Sequence, residues 1–373
     1  MTAGPVVRGG RIGRNWARID GPGREAGVDL ARGLAVVGMF AAHMVELPAF
    51  RWTDPTSWEG IANGRSSILF ATLAGVSIAL VTGGSRGLPP REATAARWRL
   101  VVRALCIWTL GVLLSATTVP IIVILPAYGI LFLLAMPAVR WRPPALFAAA
   151  AVVGVAAPFA VHAINEAAFW NTAAGAAVDG ALGWHYPFLL WAAFLALGMG
   201  LGRLRLREPA TALMLLAAGV VLAAVGDGVI ARWAAPAGWS AALDGAPHSS
   251  GVGEALGSGG FAMATIALCV LLCRTPLRWL AVPLRAVGAM PLSAYTAQFV
   301  VWFAVSVVGA DPDPFAFRGS EPFWPFTIAT LLACTAWVLF VGRGPLEWAF
   351  GRLASAAARD PRGQTGPHRR LEE

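Results

Sequence analysis

Asp29, Arg32 and His43 are ionisable side chains set among Leu, Ala and Val in the first long apolar stretch of the chain. Asp29 and Arg32 are three residues apart, so on a helix they can pair. Arg32 and His43 are eleven apart, about three helical turns, which puts both on one face about 16 Å apart along the axis. A guanidinium holds a phosphate or another polar group by a fixed fork of donors. An imidazole exchanges a proton near neutral pH. The spacing therefore suits an extended donor, held at Arg32 with its reacting end at His43. The plainer reading is a helix-start ion pair at Asp29 and Arg32, with His43 bonded to a neighbouring helix.

Three further groups of residues could share that chemistry. Arg65, Ser66 and Ser67 open the second apolar stretch, where a helix N-terminus and a cation would favour an anion or a developing oxyanion. Simple capping with a snorkelling arginine is the alternative. His248 lies six residues before Glu254, close enough for a carboxylate to orient the imidazole, beside the glycine-rich run 257–260. Tyr295 and Gln298, three apart, could line the same tunnel or bond neighbouring helices. His185 reads as interfacial, His162 as structural and His368 as a tail residue. Tryptophans 52, 58, 170, 184, 233, 239 and 324 read as an interfacial belt, or as a stacking platform for a sugar-like acceptor.

The elements that must position these groups are membrane helices. The chain is 57% hydrophobic and only 13% charged, against roughly 25% charged in a soluble domain. A crossing helix needs about 20 apolar residues. Candidate spans are 30–50, 66–82, 100–117, 119–139, 145–165, 185–201, 211–229, 258–273, 287–309 and 324–342. Residues 119–126 could be a separate re-entrant piece, so the range is roughly nine to eleven spans. Most of the 29 basic residues, all arginine, fall in alternate loops and in both tails. Arginine-rich loops mark the cytoplasmic side, which puts both termini there. The basic balance is thus a topology signal and excludes a nucleic-acid binder. The expected architecture is an all-α polytopic bundle of about ten helices over residues 29–345. Basic tails 1–28 and 346–373 lack apolar periodicity and are expected to be disordered, the latter mostly. The first 28 residues show no apolar core of a cleaved leader, so the first span would serve as an anchor.

The four cysteines, Cys106, Cys269, Cys273 and Cys334, all lie in apolar stretches and read as small buried hydrophobes. No cysteine–histidine spacing suits a metal and no paired histidines suit a haem, so neither is expected.

An arginine followed eleven residues later by a histidine in the first span resembles the transmembrane acyltransferase superfamily. The run 27–39 looks like the heparan-alpha-glucosaminide N-acetyltransferase-like branch and its YeiB-type bacterial relatives. Segments 63–75, 247–251, 257–261 and 287–298 extend the likeness to the ninth span. The resemblance implies transfer of an acyl group, acetyl by preference, from cytoplasmic acyl-CoA to an acceptor, such as a sugar or envelope component, at the outer face. It implies a bacterial cytoplasmic membrane, with lipids, donor and acceptor as partners. His43 would be base or transient acyl carrier. Some members carry Asn at that position and their histidine in the following loop. Here no histidine stands between Met44 and Val161, so the role falls on His43, alone or shared with His248. Two readings compete with an enzyme. A secondary transporter or flippase also uses many spans, although no inverted repeat is visible. A scaffold or sensor would depend on neither Arg32 nor His43.

Overall fold

A computed structural model describes residues 10–357, apart from 22, 118, 234, 235, 237, 310–312 and 314. Among the described residues every regular element is a helix, with no strand. In order the helices are α1 (Arg11–Asp20), α2 (Ala26–Met44), α3 (Arg65–Val81), α4 (Pro90–Ser115), α5 (Leu125–Leu134), α6 (Pro143–Asn165), α7 (Ala173–Leu182) and α8 (Phe188–Gly202). The second half holds α9 (Pro209–Gly228), α10 (Ser240–Leu243), α11 (Val252–Leu272), α12 (Val282–Ala289), α13 (Pro291–Gly309), α14 (Ala316–Gly319), α15 (Phe323–Phe340) and α16 (Pro345–Ala357).

Seven helices, α2, α4, α6, α9, α11, α13 and α15, are long and apolar enough to cross a bilayer. An eighth span forms if α3 is joined to the 3-10 segment Pro55–Ala62, with a 45° bend between them. This is a multi-pass membrane protein. Each of the ten expected stretches holds a helix, but α5 has 10 residues and α8 has 15. At 1.5 Å per residue neither covers a hydrocarbon core of about 30 Å. Among the described residues the count of spanning helices therefore stands at seven or eight. In the expected fourth span, residues 119–124 are non-helical and α5 follows them. Such backbone is tolerated at membrane depth only where protein buries it or a polar cavity adjoins it. Val119, Ile121, Val123 and Ile124 are buried, and Pro120, Ile121, Ile122 and Ile124 line a cavity.

The bundle is knit by close backbone approaches. α9 lies along α11, α3 along α8, and α2 along α12. A Cβ on Gly198 would stand 1.8 Å from the Thr72 carbonyl oxygen, and one on Gly288 would stand 1.8 Å from that of Asp29. Small residues thus let spans meet at backbone distance, where dispersion replaces a hydrophobic drive. α2 and α3 are well enclosed, with Val36, Phe40, Leu73 and Val76 fully buried.

Parts of both expected tails are ordered helices. In α1, Ile19 is buried and Asn15 donates to the Leu339 carbonyl. Trp16 stacks on Trp279, with ring centroids 5.9 Å apart. Arg285 secures the end of α1 through the Ile19 carbonyl and Asp20. In α16, the Glu347 carboxylate accepts from the Leu292 and Ser293 amides at the start of α13. A carboxylate at a helix N-terminus satisfies free donors and opposes the dipole. Low mean apolarity hid both helices, because a few anchor residues rather than an apolar stripe dock them. The outer parts of both tails, 1–9 and 358–373, with His368, lie outside the described residues.

Candidate functional site

α2 delivers its three ionisable residues into two different surroundings. Near its start, Asp29 is buried and accepts from Arg32 at 2.9 Å and from Arg24 at 3.1 Å. Arg32 also donates to the Gly288 carbonyl at 2.8 Å and to Ser77 Oγ at 2.9 Å. Two guanidiniums on one carboxylate leave an excess of positive charge. Arg32 lines a small cavity of about 140 Å³ with Phe70, Ala74, Ser77, Tyr128 and Leu292.

Three turns on, His43 lines a separate cavity of about 240 Å³. Its Nδ1 lies 3.0 Å from Gln298 Oε1. An amide oxygen only accepts, so this bond puts the hydrogen on Nδ1 and leaves Nε2 with its lone pair. Ser66, Ser67, His185, Tyr186, His248, Tyr295 and Arg318 complete much of the wall. Arg318 donates through Nε to the His43 carbonyl at 3.1 Å, and also to that of Ala42. It thereby caps the carbonyl end of α2 and brings a cation to the cavity.

The long loop before α11 supplies the opposite wall. His248 and Ser250 have φ of 63° and 58°, the left-handed region that ordinary residues seldom enter. The Glu254 carboxylate offsets that strain by accepting the His248 amide at 2.7 Å and the Ser250 amide at 2.8 Å. The His248 ring packs against His185 and Tyr186, at 5.6 and 5.9 Å between centroids. Partial enclosure, then the neighbouring His185 and His43, push the His248 imidazole down to about 4. More than a third of the residue faces the open cavity, so water there moderates the shift. Enclosure lowers His185 as well, and Asp179 partly opposes it.

Several expectations change against this geometry. Arg32 and His43 share a helix face but not one continuous cavity. Glu254 does not orient the His248 imidazole; it holds the main chain beneath it, since the left-handed backbone turns both amides inward. Arg65 is not a free cation at the pocket. It pairs with Asp227 at 2.7 Å and sits over the rings of Phe50, Trp52 and Phe261, although Ser66 and Ser67 do line the cavity. The helix is capped by Gly64, with φ 70° and no capping side chain, rather than by Ser66. No tryptophan lines the cavity; Trp170 and Trp184 stack on each other and Trp52 donates to Asp227. Gln298 is brought to His43, and Tyr295 to the same cavity.

Sequence reading missed Arg318, His185 and Tyr186 as parts of this wall. Arg318 carried a usable signal, because it was one of few arginines on the arginine-poor side. His185 carried none, since 63 residues separate it from His248. No cluster of three or more His, Cys, Asp or Glu side chains among the described residues is placed to hold a metal ion.

A multi-pass helical protein with a polar, histidine-lined pocket at one end of an arginine-bearing helix is the class that fold and geometry define. Comparison with family models is specific. The model described as "Heparan-alpha-glucosaminide N-acetyltransferase, catalytic" matches residues 24–228, and "Protein of unknown function (DUF418)" matches residues 201–357. The first match covers more than half of the chain, and the protein belongs to this membrane acetyltransferase family. No curated protein and no solved structure matched the chain. The pocket draws on both segments: His43, Ser66 and His185 lie in the first, and His248, Gln298 and Arg318 in the second.

Proposed function

We propose that this protein transfers an acyl group, acetyl in the simplest case, from acyl-CoA to an acceptor at the histidine-lined end. The arginine-rich end would face the cytoplasm of a bacterial inner membrane and admit the donor. One observation carries the reading: a single pair of helix faces lines both cavities. On α2 the face runs Arg32, Met39, His43, and on α3 it runs Ser67, Phe70, Ala74, Ser77. What separates the cavities is the junction of residues 119–124 with α5, together with Tyr128 and Tyr295. The Tyr128 hydroxyl is buried without a hydrogen-bond partner. An orphaned buried hydroxyl costs about 1–3 kcal/mol, which a polar donor threaded past it would recover.

In this reading Arg32 holds a polar or anionic part of the donor, and the thioester reaches His43. Nε2 of His43 takes the proton from the acceptor nucleophile as that atom attacks the thioester carbonyl. The carbon–sulfur bond then breaks, and the CoA thiolate recovers the proton. Gln298 keeps Nδ1 protonated, so that Nε2 is the basic nitrogen. Arg318, beside the pocket, favours negative charge developing on the carbonyl oxygen.

The test uses the purified full chain in lipid nanodiscs with acetyl-CoA. Thermal stabilisation by acetyl-CoA is expected, lost in Arg32→Ala, and CoA release in the presence of envelope extract is expected, lost in His43→Ala. Full CoA release by His43→Ala overturns the chemistry. Counterflow of a solute without CoA release would favour transport instead.

A further inference from the structure

A larger cavity, about 310 Å³, lies outside the site and is lined by apolar groups alone, among them Phe147, Ala193, Phe194, Leu222 and Met263. It lies between α6, α8, α9 and α11, and its lining residues Ala151 and Val155 are exposed on α6. Since α6, α9 and α11 are long and apolar enough to cross a membrane, the mouth opens sideways onto lipid beside exposed Val152.

Glycine marks this cavity in an unusual way. A mid-helix glycine costs about 1 kcal/mol relative to alanine. Elsewhere in the described spanning helices that cost is explained by packing, apart from Gly228 at the end of α9, which has open space around it. A Cβ on Gly33, Gly75, Gly219 or Gly226 would come within 3.0 Å of another helix's backbone, and so would one on Gly260 of the cavity lining. Gly154 on α6 and Gly259 on α11 differ. A Cβ on Gly154 would meet only Ala193 Cβ at 3.8 Å, and one on Gly259 would approach nothing closer than Phe194 at 3.6 Å. Both glycines line the cavity. Their missing side chains make room rather than contact.

Packed aromatic rings join the wall of this cavity to that of the histidine pocket. Tyr186 of the pocket wall meets Trp191 at 5.1 Å between ring centroids, and Trp191 meets Phe194 of the cavity at 5.7 Å. On α11, Ala255 of the cavity follows Glu254, which holds the His248 loop. The approach is thus from the His248–Tyr186 wall, away from the α2–α3 faces assigned to the donor. We infer that this groove takes the alkyl tail of a lipid-linked acceptor whose polar head reaches the His43 pocket. The inference rests on the acyl-transfer reading and names its acceptor class. An uncharged lining open to the bilayer matches an uncharged chain, which packs there by dispersion and shape rather than by a hydrophobic drive.

Photolabelling and transfer separate this inference from the reading beneath it. The probe is a phosphatidylethanolamine with a diazirine in one acyl chain, incorporated into nanodiscs with the full chain. Peptides bearing Ala151 and Gly259 should be labelled well above the lipid-facing surface around Leu332 of α15. Gly259→Leu and Gly154→Leu each fill the groove from a different helix. Each should lower that labelling roughly tenfold and leave labelling near Leu332 and acetyl-CoA stabilisation unchanged. Transfer of radiolabelled acetyl to the lipid fraction of an envelope extract should fall in parallel. Labelling no stronger in the groove than near Leu332 overturns the inference, because the groove is then ordinary lipid contact. So does undiminished lipid acetylation in a folded Gly259→Leu or Gly154→Leu chain. If either variant fails to fold, wild-type labelling still decides. Acetyl transfer only to water-soluble acceptors sinks the lipid acceptor and leaves the acyltransferase standing, whereas no acetyl transfer at all, with groove labelling intact, sinks the underlying reading.

Discussion

The two ends of α2 are built in opposite ways. Around Arg32 both terminal nitrogens are engaged, by Asp29, the Gly288 carbonyl and Ser77, and the adjoining cavity is small. Around His43 the cavity is larger, one imidazole nitrogen is held by Gln298, and the facing loop is strained at His248 and Ser250. A group whose partners are already in place can position a ligand without rearranging. A group with a free lone pair in a polar, half-open pocket can exchange a proton. Strained backbone over a cavity persists only when its surroundings compensate, and Glu254 does so here. One helix therefore sets a guanidinium bonded at both terminal nitrogens and an imidazole with a free nitrogen three turns apart.

Breaking the reacting end should have the largest effect. His43→Ala removes the base, and kcat for acetyl transfer should fall by about 10²–10⁴-fold with acetyl-CoA affinity retained, as measured by CoA release and thermal shift. At the holding end, Arg32→Ala leaves buried Asp29 with only half-exposed Arg24. Stability should drop by about 3 kcal/mol and acetyl-CoA stabilisation should vanish, read in nanodisc melting curves with and without donor. Glu254→Gln replaces charge-assisted bonds under His248 and Ser250 with neutral ones. A loss of about 1 kcal/mol is expected, with hydrogen exchange of the 248–250 amides rising more than exchange elsewhere.

The partition between the ends gives a sharper, smaller test. Tyr128→Phe deletes a buried hydroxyl that has no partner, so stability should rise by about 1 kcal/mol. Acetyl-CoA binding should nevertheless weaken several-fold if the donor passes that hydroxyl; unchanged binding would argue that the two cavities serve separate ligands. The smallest effect is on pH. The His248 imidazole is near 6.5 when unfolded and is pushed down to about 4 in the folded protein. Its neutral form is the one the fold favours. The associated stability is therefore present above pH 6.5 and is lost as pH falls toward about 4. A slight acid destabilisation across that window should disappear in His248→Gln.

Much of this architecture was written in local sequence. The apolar runs became helices because a helix closes its own hydrogen bonds within the segment, and a bilayer accepts nothing less. The Asp29–Arg32 pair followed from spacing on one helix, and Arg318 was conspicuous as an arginine on the poorly charged side. Family membership was legible in the run 27–39. Other features were decided by packing. Residues 119–124 carry the composition of a span, yet they stay non-helical where a cavity adjoins them. The His43–Gln298 bond joins residues 255 positions apart, and His248 meets His185 only because the two loops close over one pocket. Glu254 was correctly suspected near His248, but whether it met ring or backbone depended on a left-handed turn that residue identity does not announce. Helical periodicity is set by hydrogen bonds four residues long, so sequence alone determines which faces exist. Which faces meet, and whether one cavity or two results, depends on side-chain volumes from distant helices, and only the assembled bundle decides that.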